Sequence, residues 1–192
     1  MTGSDTGSST VTVDHLQYAL DAAADDDLRA AAKWYALAGM EQLVEAGYEP
    51  CEGTATGVTY FLEAISADVR AENRSRARGH VRLVRPVLLD LAENATDACL
   101  RGLAREWLGD ASLLVGERDA LEQYRLAGEV FEEVAFDQRL FWGGTPAFDN
   151  AYGAMKAFLA TYDIEYPSSY SVDFEDRVDA KRRAYRDVVD GA

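Results

Sequence analysis

Residues 69–86 read VRAENRSRARGHVRLVRP and hold six of the chain's sixteen arginines: Arg70, Arg74, Arg76, Arg78, Arg82 and Arg85. Glu72 is the only acid among them, so the segment carries +5 while the rest of the chain carries −20. Guanidinium groups are planar donors that grip phosphate or carboxylate oxygens two at a time. Arg70, Arg74, Arg78, His80, Arg82 and Arg85 are therefore the candidate anion-binding residues, for a phosphate, a nucleotide or an RNA backbone. The competing reading is structural: the same arginines pair with carboxylates of neighbouring helices or of a second subunit. Salt weighs on the choice, because a loose electrostatic grip on nucleic acid loses decades of affinity as salt rises.

Other chemistry is poorly represented. His15 is the second of only two histidines, and no Glu-x-x-His pair is present to build a di-metal bundle site. Asp25-Asp26-Asp27 lacks the alternation and closing Glu of a calcium loop, and reads as a helix break with an N-cap. Cys51 and Cys99 stand in no metal or redox spacing and read as small buried or half-buried apolar residues. Gly143-Gly144 precedes a capped helix rather than a phosphate loop, and Phe141, Trp142, Phe148 and Tyr152 around it read as core in preference to a pocket. No catalytic residue, metal site or cofactor is expected. An Arg followed by His after a short interval resembles the active-site motif of HEPN-type ribonucleases, which are all-α, and Arg74 and His80 fit that spacing. The resemblance would imply RNA cleavage.

The elements that must position these residues are helical. Apolar residues recur at helical spacing throughout and β-alternation never persists. About eight antiparallel helices are predicted, near 13–24, 27–46, 55–76, 80–94, 97–115, 119–136, 146–162 and 172–189. They pack as hairpins into an all-α domain over 13–192, either a repeat-like array or an irregular bundle, behind a flexible tail at 1–12. In residues 69–86 the apolar faces Val58–Val69 and Val81–Leu91 are out of phase, which predicts a break near Gly79-His80. Asp119 with Glu122 predicts a capping box. Thr145-Pro146 predicts an N-cap followed by proline at the first helical position, and Gly116 and Gly143 predict left-handed helix ends.

One hairpin has a recognisable pattern. Leu100, Leu103, Trp107, Ala111 and Leu114 share a face, as do Ala120, Tyr124, Ala127, Phe131 and Val134. Leu108-Gly109, the turn residue Gly116, and the small-aromatic-small set Ala120, Tyr124 and Ala127 make the hairpin resemble a tetratricopeptide repeat. Ala31, Tyr35 and Ala38 echo it. The resemblance implies a concave surface for a protein or peptide, and no catalysis.

The bulk charge is −15, from 19 Asp and 15 Glu against 16 Arg and only 3 Lys. Nearly half the residues are hydrophobic, which separates the chain from acidic disordered proteins. The composition resembles that of proteins from extreme halophiles, whose dense carboxylates stay hydrated in molar salt while self-repulsion is screened. No apolar run approaches the ~20 residues a membrane helix needs, and the N-terminus lacks the pattern of a signal peptide. The expectation is a cytoplasmic, non-enzymatic interaction module adapted to high salt, with a protein or peptide partner and self-association open. The alternative is an anion- or RNA-handling protein that uses the arginine segment.

Overall fold

The computed structural model describes residues 14–166 and 174–190. Among them the chain is all-helical: α1 (His15–Ala24), α2 (Leu28–Glu45), α3 (Glu52–Arg70), α4 (Arg74–Asn94), α5 (Ala98–Leu114), α6 (Ala120–Glu132), α7 (Phe136–Gly143), α8 (Pro146–Ala160) and α9 (Phe174–Tyr185), which runs into a π-helical turn at Arg186–Asp190. The expected tail at 1–12 lies outside the described residues, as does the start of the helix expected from 172. From α1 to α6 consecutive helices pack on one another, α3 also packs on α8, and α9 returns against α6.

Helix ends explain where the chain departs from expectation. Asp26, Glu72 and Asp163 take the left-handed conformation (φ 58°, 61° and 58°), alongside Gly47 and Gly116. Each is followed by an amide that reaches back five residues, as Asn73 does to the Asp68 carbonyl at 2.7 Å. The break between α3 and α4 therefore falls at 71–73, where Asn73 caps α4 through the Arg76 amide at 3.4 Å, and not at Gly79-His80. Interior glycine costs a helix only about 1 kcal/mol, so α4 continues through Gly79, His80 and even Pro86. Moving the break also resolves the phase conflict, because Arg70 and Arg74 belong to different helices.

Three further expectations need correction. Gly143 ends α7, a helix not foreseen, without positive φ. The Asp119–Glu122 capping box does not form: Asp119 has helical backbone and no side-chain cap, and instead accepts from Arg85 Nη1 at 2.9 Å. Cys51 is exposed, while Cys99 is buried as expected. Asp27, by contrast, caps α2 through the Ala30 amide at 3.1 Å, and Thr145 caps α8 with Pro146 in the first turn.

Glycine lets the hairpins close. A Cβ on Gly109 would sit 2.4 Å from the Tyr124 ring, and one on Gly102 would sit 2.4 Å from that of Phe131. The aromatic rings of α6 thus lie on bare backbone of α5, seven residues apart on both helices. In the first pair, Gly39 approaches the Gly57 carbonyl so closely that a Cβ would stand 2.9 Å from it. The large buried side chains Trp107, Tyr124, Phe61, Phe131 and Phe158 fill the space between the helices.

Candidate functional site

The arginine segment divides into paired and unpaired members. Arg76 donates through Nε to both oxygens of buried Asp68, at 2.7 and 2.8 Å, and through Nη2 to the Arg29 carbonyl at 3.0 Å. His80 Nε2 stands 3.3 Å from the same carboxylate. Burial raises Asp68, but His80 and Arg76 outweigh it and hold the carboxyl below its usual range. Arg85 is held by Asp119, by Ser112 Oγ at 3.2 Å and by Glu117. These contacts tie α4 to α3 and to the α5–α6 turn.

Arg70, Arg74, Arg78 and Arg82 are exposed and make no ion pair with another described residue. At about 100° per residue, Arg74, Arg78 and Arg82 fall within roughly 80° of arc on α4. They form a convex stripe, with Arg74 at the rim of a cavity of about 280 Å³ that is otherwise lined by groups such as Val69, Leu113, Tyr162 and Val188. Arg74 and His80 are about 120° apart around the same helix, and His80 faces Asp68. The six candidates therefore do not converge on one cleft.

The densest meeting of ionisable groups was not foreseen. Glu106 and Asp110 lie one turn apart on α5, Arg177 and Lys181 one turn apart on α9, and all four are buried. Arg177 forks onto Glu106, with Nε 2.7 Å from Oε1 and Nη2 2.5 Å from Oε2. Lys181 donates to Asp110 Oδ2 at 2.6 Å and also to Glu106. Tyr124 donates from α6 to Asp110 Oδ1 at 2.9 Å, and the Arg177 guanidinium covers the Phe148 ring at 4.4 Å. Burial alone would raise Glu106, yet Arg177 and Lys181 together hold it low. Burial raises Asp110, with the Glu106 charge adding to it and Lys181 only partly offsetting it. The cavity beside these groups measures about 10 Å³, roughly the space of one water. Among the described residues that leaves no room for a substrate. The quartet is a neutral, closed lock between the C-terminal helix and the α5–α6 hairpin.

A further acid, half-buried, sits at the α3–α8 contact. Glu63 Oε1 occupies the place that a side chain on Gly153 would need, 2.8 Å from that position. Burial pushes its carboxyl up to about 7, against a small opposing pull from Arg70. Tyr35 beside it rises to about 12, through burial first and then the charges of Glu63 and Tyr60.

The outer face of α2 is apolar and uncovered. Leu37, Met40 and Val44 are 39, 39 and 62% exposed, at spacings of three and four residues, and Tyr48, beyond the end of α2, directs its hydroxyl to Met40 Sδ at 3.9 Å. The other sides of α2 are occupied: Tyr35, Gly39 and Leu43 pack on α3, while Trp34 and Glu41 meet α1, where His15 Nδ1 stands 2.8 Å from Glu41 Oε2. Among the described residues no cluster of three His, Cys, Asp or Glu could hold a metal, and no described helix is long and apolar enough to cross a membrane. Comparison with protein-family models, curated proteins and solved structures finds no significant match. Function is therefore read from geometry alone.

Proposed function

We propose that this chain is a non-enzymatic helical interaction module that binds a protein partner in a salt-rich cytoplasm. One observation carries the reading: Leu37, Met40 and Val44, with Tyr48 folded back onto Met40, present an exposed apolar face on a helix whose other sides meet α1 and α3. Such a face resembles the anchors by which helices dock into one another, and apolar association strengthens in molar salt where charge steering fades. The small cavity, about 10 Å³ among the described residues, beside the buried acids and cations favours binding over catalysis. The test is capture from native cells in molar salt, comparing the parent chain with a Met40→Asp, Val44→Asp variant. The parent should retain a specific protein and the variant should lose it; equal capture by both would contradict the proposal.

A second reading rests on Arg74, Arg78 and Arg82, three guanidiniums along two turns of α4 that pair with no acid among the described residues. We infer an anion-binding stripe as the alternative, with RNA or a phosphate ligand. Replacing all three by Gln keeps helix propensity and removes charge and fork. On this alternative, RNA capture falls while the fold and the melting temperature hold; RNA capture unchanged by the triple variant would exclude it.

A further inference from the structure

Several helix ends meet around an apolar cavity that opens to solvent. It lies where α3 ends, α4 begins, α5 ends, the chain leaves α8 at Tyr162 and the π-helical turn passes, and it measures about 280 Å³. Buried Leu113, Leu114 and Val188 form its floor, while exposed Arg74, Gly116 and Tyr162 mark its mouth. Gly116 takes positive φ (76°) beyond the end of α5, and a Cβ there would meet no atom within 4 Å. The described chain thus leaves the mouth clear on that side.

Among the described residues Arg74 is the one charged group lining this cavity, in a chain where 34 acids stand against 19 bases. It makes no ion pair with another described residue, whereas Arg76 and Arg85 on the same helix are held by carboxylates. Arg74 also opens α4, so the positive end of that helix dipole backs its charge. Part of the opposing end of α5 is already satisfied, because the Ser112 and Leu113 carbonyls accept from the Glu117 and Gly116 amides at 2.8 and 3.0 Å. A mostly apolar pocket with few polar groups is the pattern of small-molecule sites, whose volumes run from about 300 Å³ upward. A space at the lower edge of that range suits a body of a few carbons and not a nucleotide. We infer that the cavity binds a small apolar monocarboxylate. Its carboxylate meets the Arg74 fork at the mouth and its hydrocarbon lies on Leu113, Leu114 and Val188. Molar salt screens the attraction of a lone exposed guanidinium but spares apolar burial, so the two together outlast either charge or fork alone. The site is separate from the α2 face, and the two readings stand or fall independently.

The test is titration of the full chain with hexanoate and with benzoate in molar KCl, followed by amide and methyl NMR. Saturable shifts should gather at Leu114, Gly116 and Val188. Hexanol and hexylammonium should bind at least roughly tenfold more weakly than hexanoate, as loss of a charge-assisted hydrogen bond implies. Arg74→Gln should weaken hexanoate by a similar factor, and Arg78→Gln should not, since Arg78 does not line the cavity. Both positions are exposed, so neither change should disturb the fold. Val189→Trp, at a half-buried wall position, should fill the space and abolish binding while circular dichroism stays unchanged. No saturable binding of either carboxylate would overturn the site. Equal binding of hexanol, or binding indifferent to Arg74→Gln, would overturn the carboxylate class. Binding indifferent to Val189→Trp in a folded chain would overturn the cavity as its location. Binding that appears only after residues 191–192 are removed would assign the cavity to that segment instead.

Discussion

The ring of Tyr124 lies on the backbone of Gly109, where a single added methyl would stand 2.4 Å from it, while its hydroxyl donates to Asp110 at 2.9 Å. The residue therefore sets both the spacing of the α5–α6 hairpin and one corner of the buried charge network. Tyr124→Ala should cost about 3 kcal/mol or more. Gly109→Ala should cost about 1–3 kcal/mol by overpacking, although alanine is the better helix former. Urea melts measure both, and a Gly109→Ala chain as stable as the parent would show that the helices do not approach this closely.

How much of this was legible follows from the range of each signal. The faces of α5 and α6, including Tyr124, are local periodicities, and all ten of their assigned residues are buried. The α3–α4 break was missed because its left-handed residue is Glu72 instead of glycine, so the usual punctuation is absent. The lock was missed because its partners are about 71 residues apart in sequence. Its trace was nevertheless present: Glu106 and Asp110 stand four residues apart on α5, the same spacing as Arg177 and Lys181 on α9. The arginine segment stood out as an anomaly of composition, but composition does not reveal which members meet acids. Among the described residues Arg76 and Arg85 do, while Arg74, Arg78 and Arg82 do not.

Removing one member of the lock should be far worse than removing a matched pair. Lys181→Met leaves two buried carboxylates facing a single guanidinium and should cost about 3–5 kcal/mol. Combining it with Asp110→Asn should recover a large part of that loss, since Arg177 still neutralises Glu106. A double-mutant cycle measures the coupling; simple additivity would mean that the four groups do not act as a unit.

Glu63 makes stability depend on pH in a defined direction. Its carboxyl is raised from 4.5 to about 7 by burial. Between those values the folded chain holds a proton that the unfolded chain has released, so stability falls as pH rises through that window. The raised affinity favours folding below pH 4.5, and the full cost of ionising this half-buried group is reached above about pH 7. Glu63→Gln should remove this slope and gain on the order of 2–3 kcal/mol at pH 8 relative to the parent. Chemical melts between pH 5 and 8 would show two parallel curves if Glu63 were instead ionised throughout.

Salt should act on the surface and not on the lock. With −15 unscreened in dilute buffer, thermal midpoints should rise steeply from about 0.1 to 2 M KCl as the Debye length shrinks to a few Å. The penalty of Lys181→Met should remain nearly constant over the same range, because buried pairs are little screened. A flat or falling midpoint for the parent would contradict adaptation to high salt.

The most direct test of the central proposal is oxidative footprinting of Met40, with Met155 as the internal standard. Met40 lies on the exposed stripe of α2, whereas Met155 is fully buried in α8. In dilute isolated protein Met40 should oxidise readily and Met155 slowly. In the assembled state, in molar salt, Met40 should become protected while the exposed Phe141 keeps its labelling. Equal oxidation of Met40 in the free and assembled states would contradict the account, because the face assigned to binding would then be open when the partner is bound.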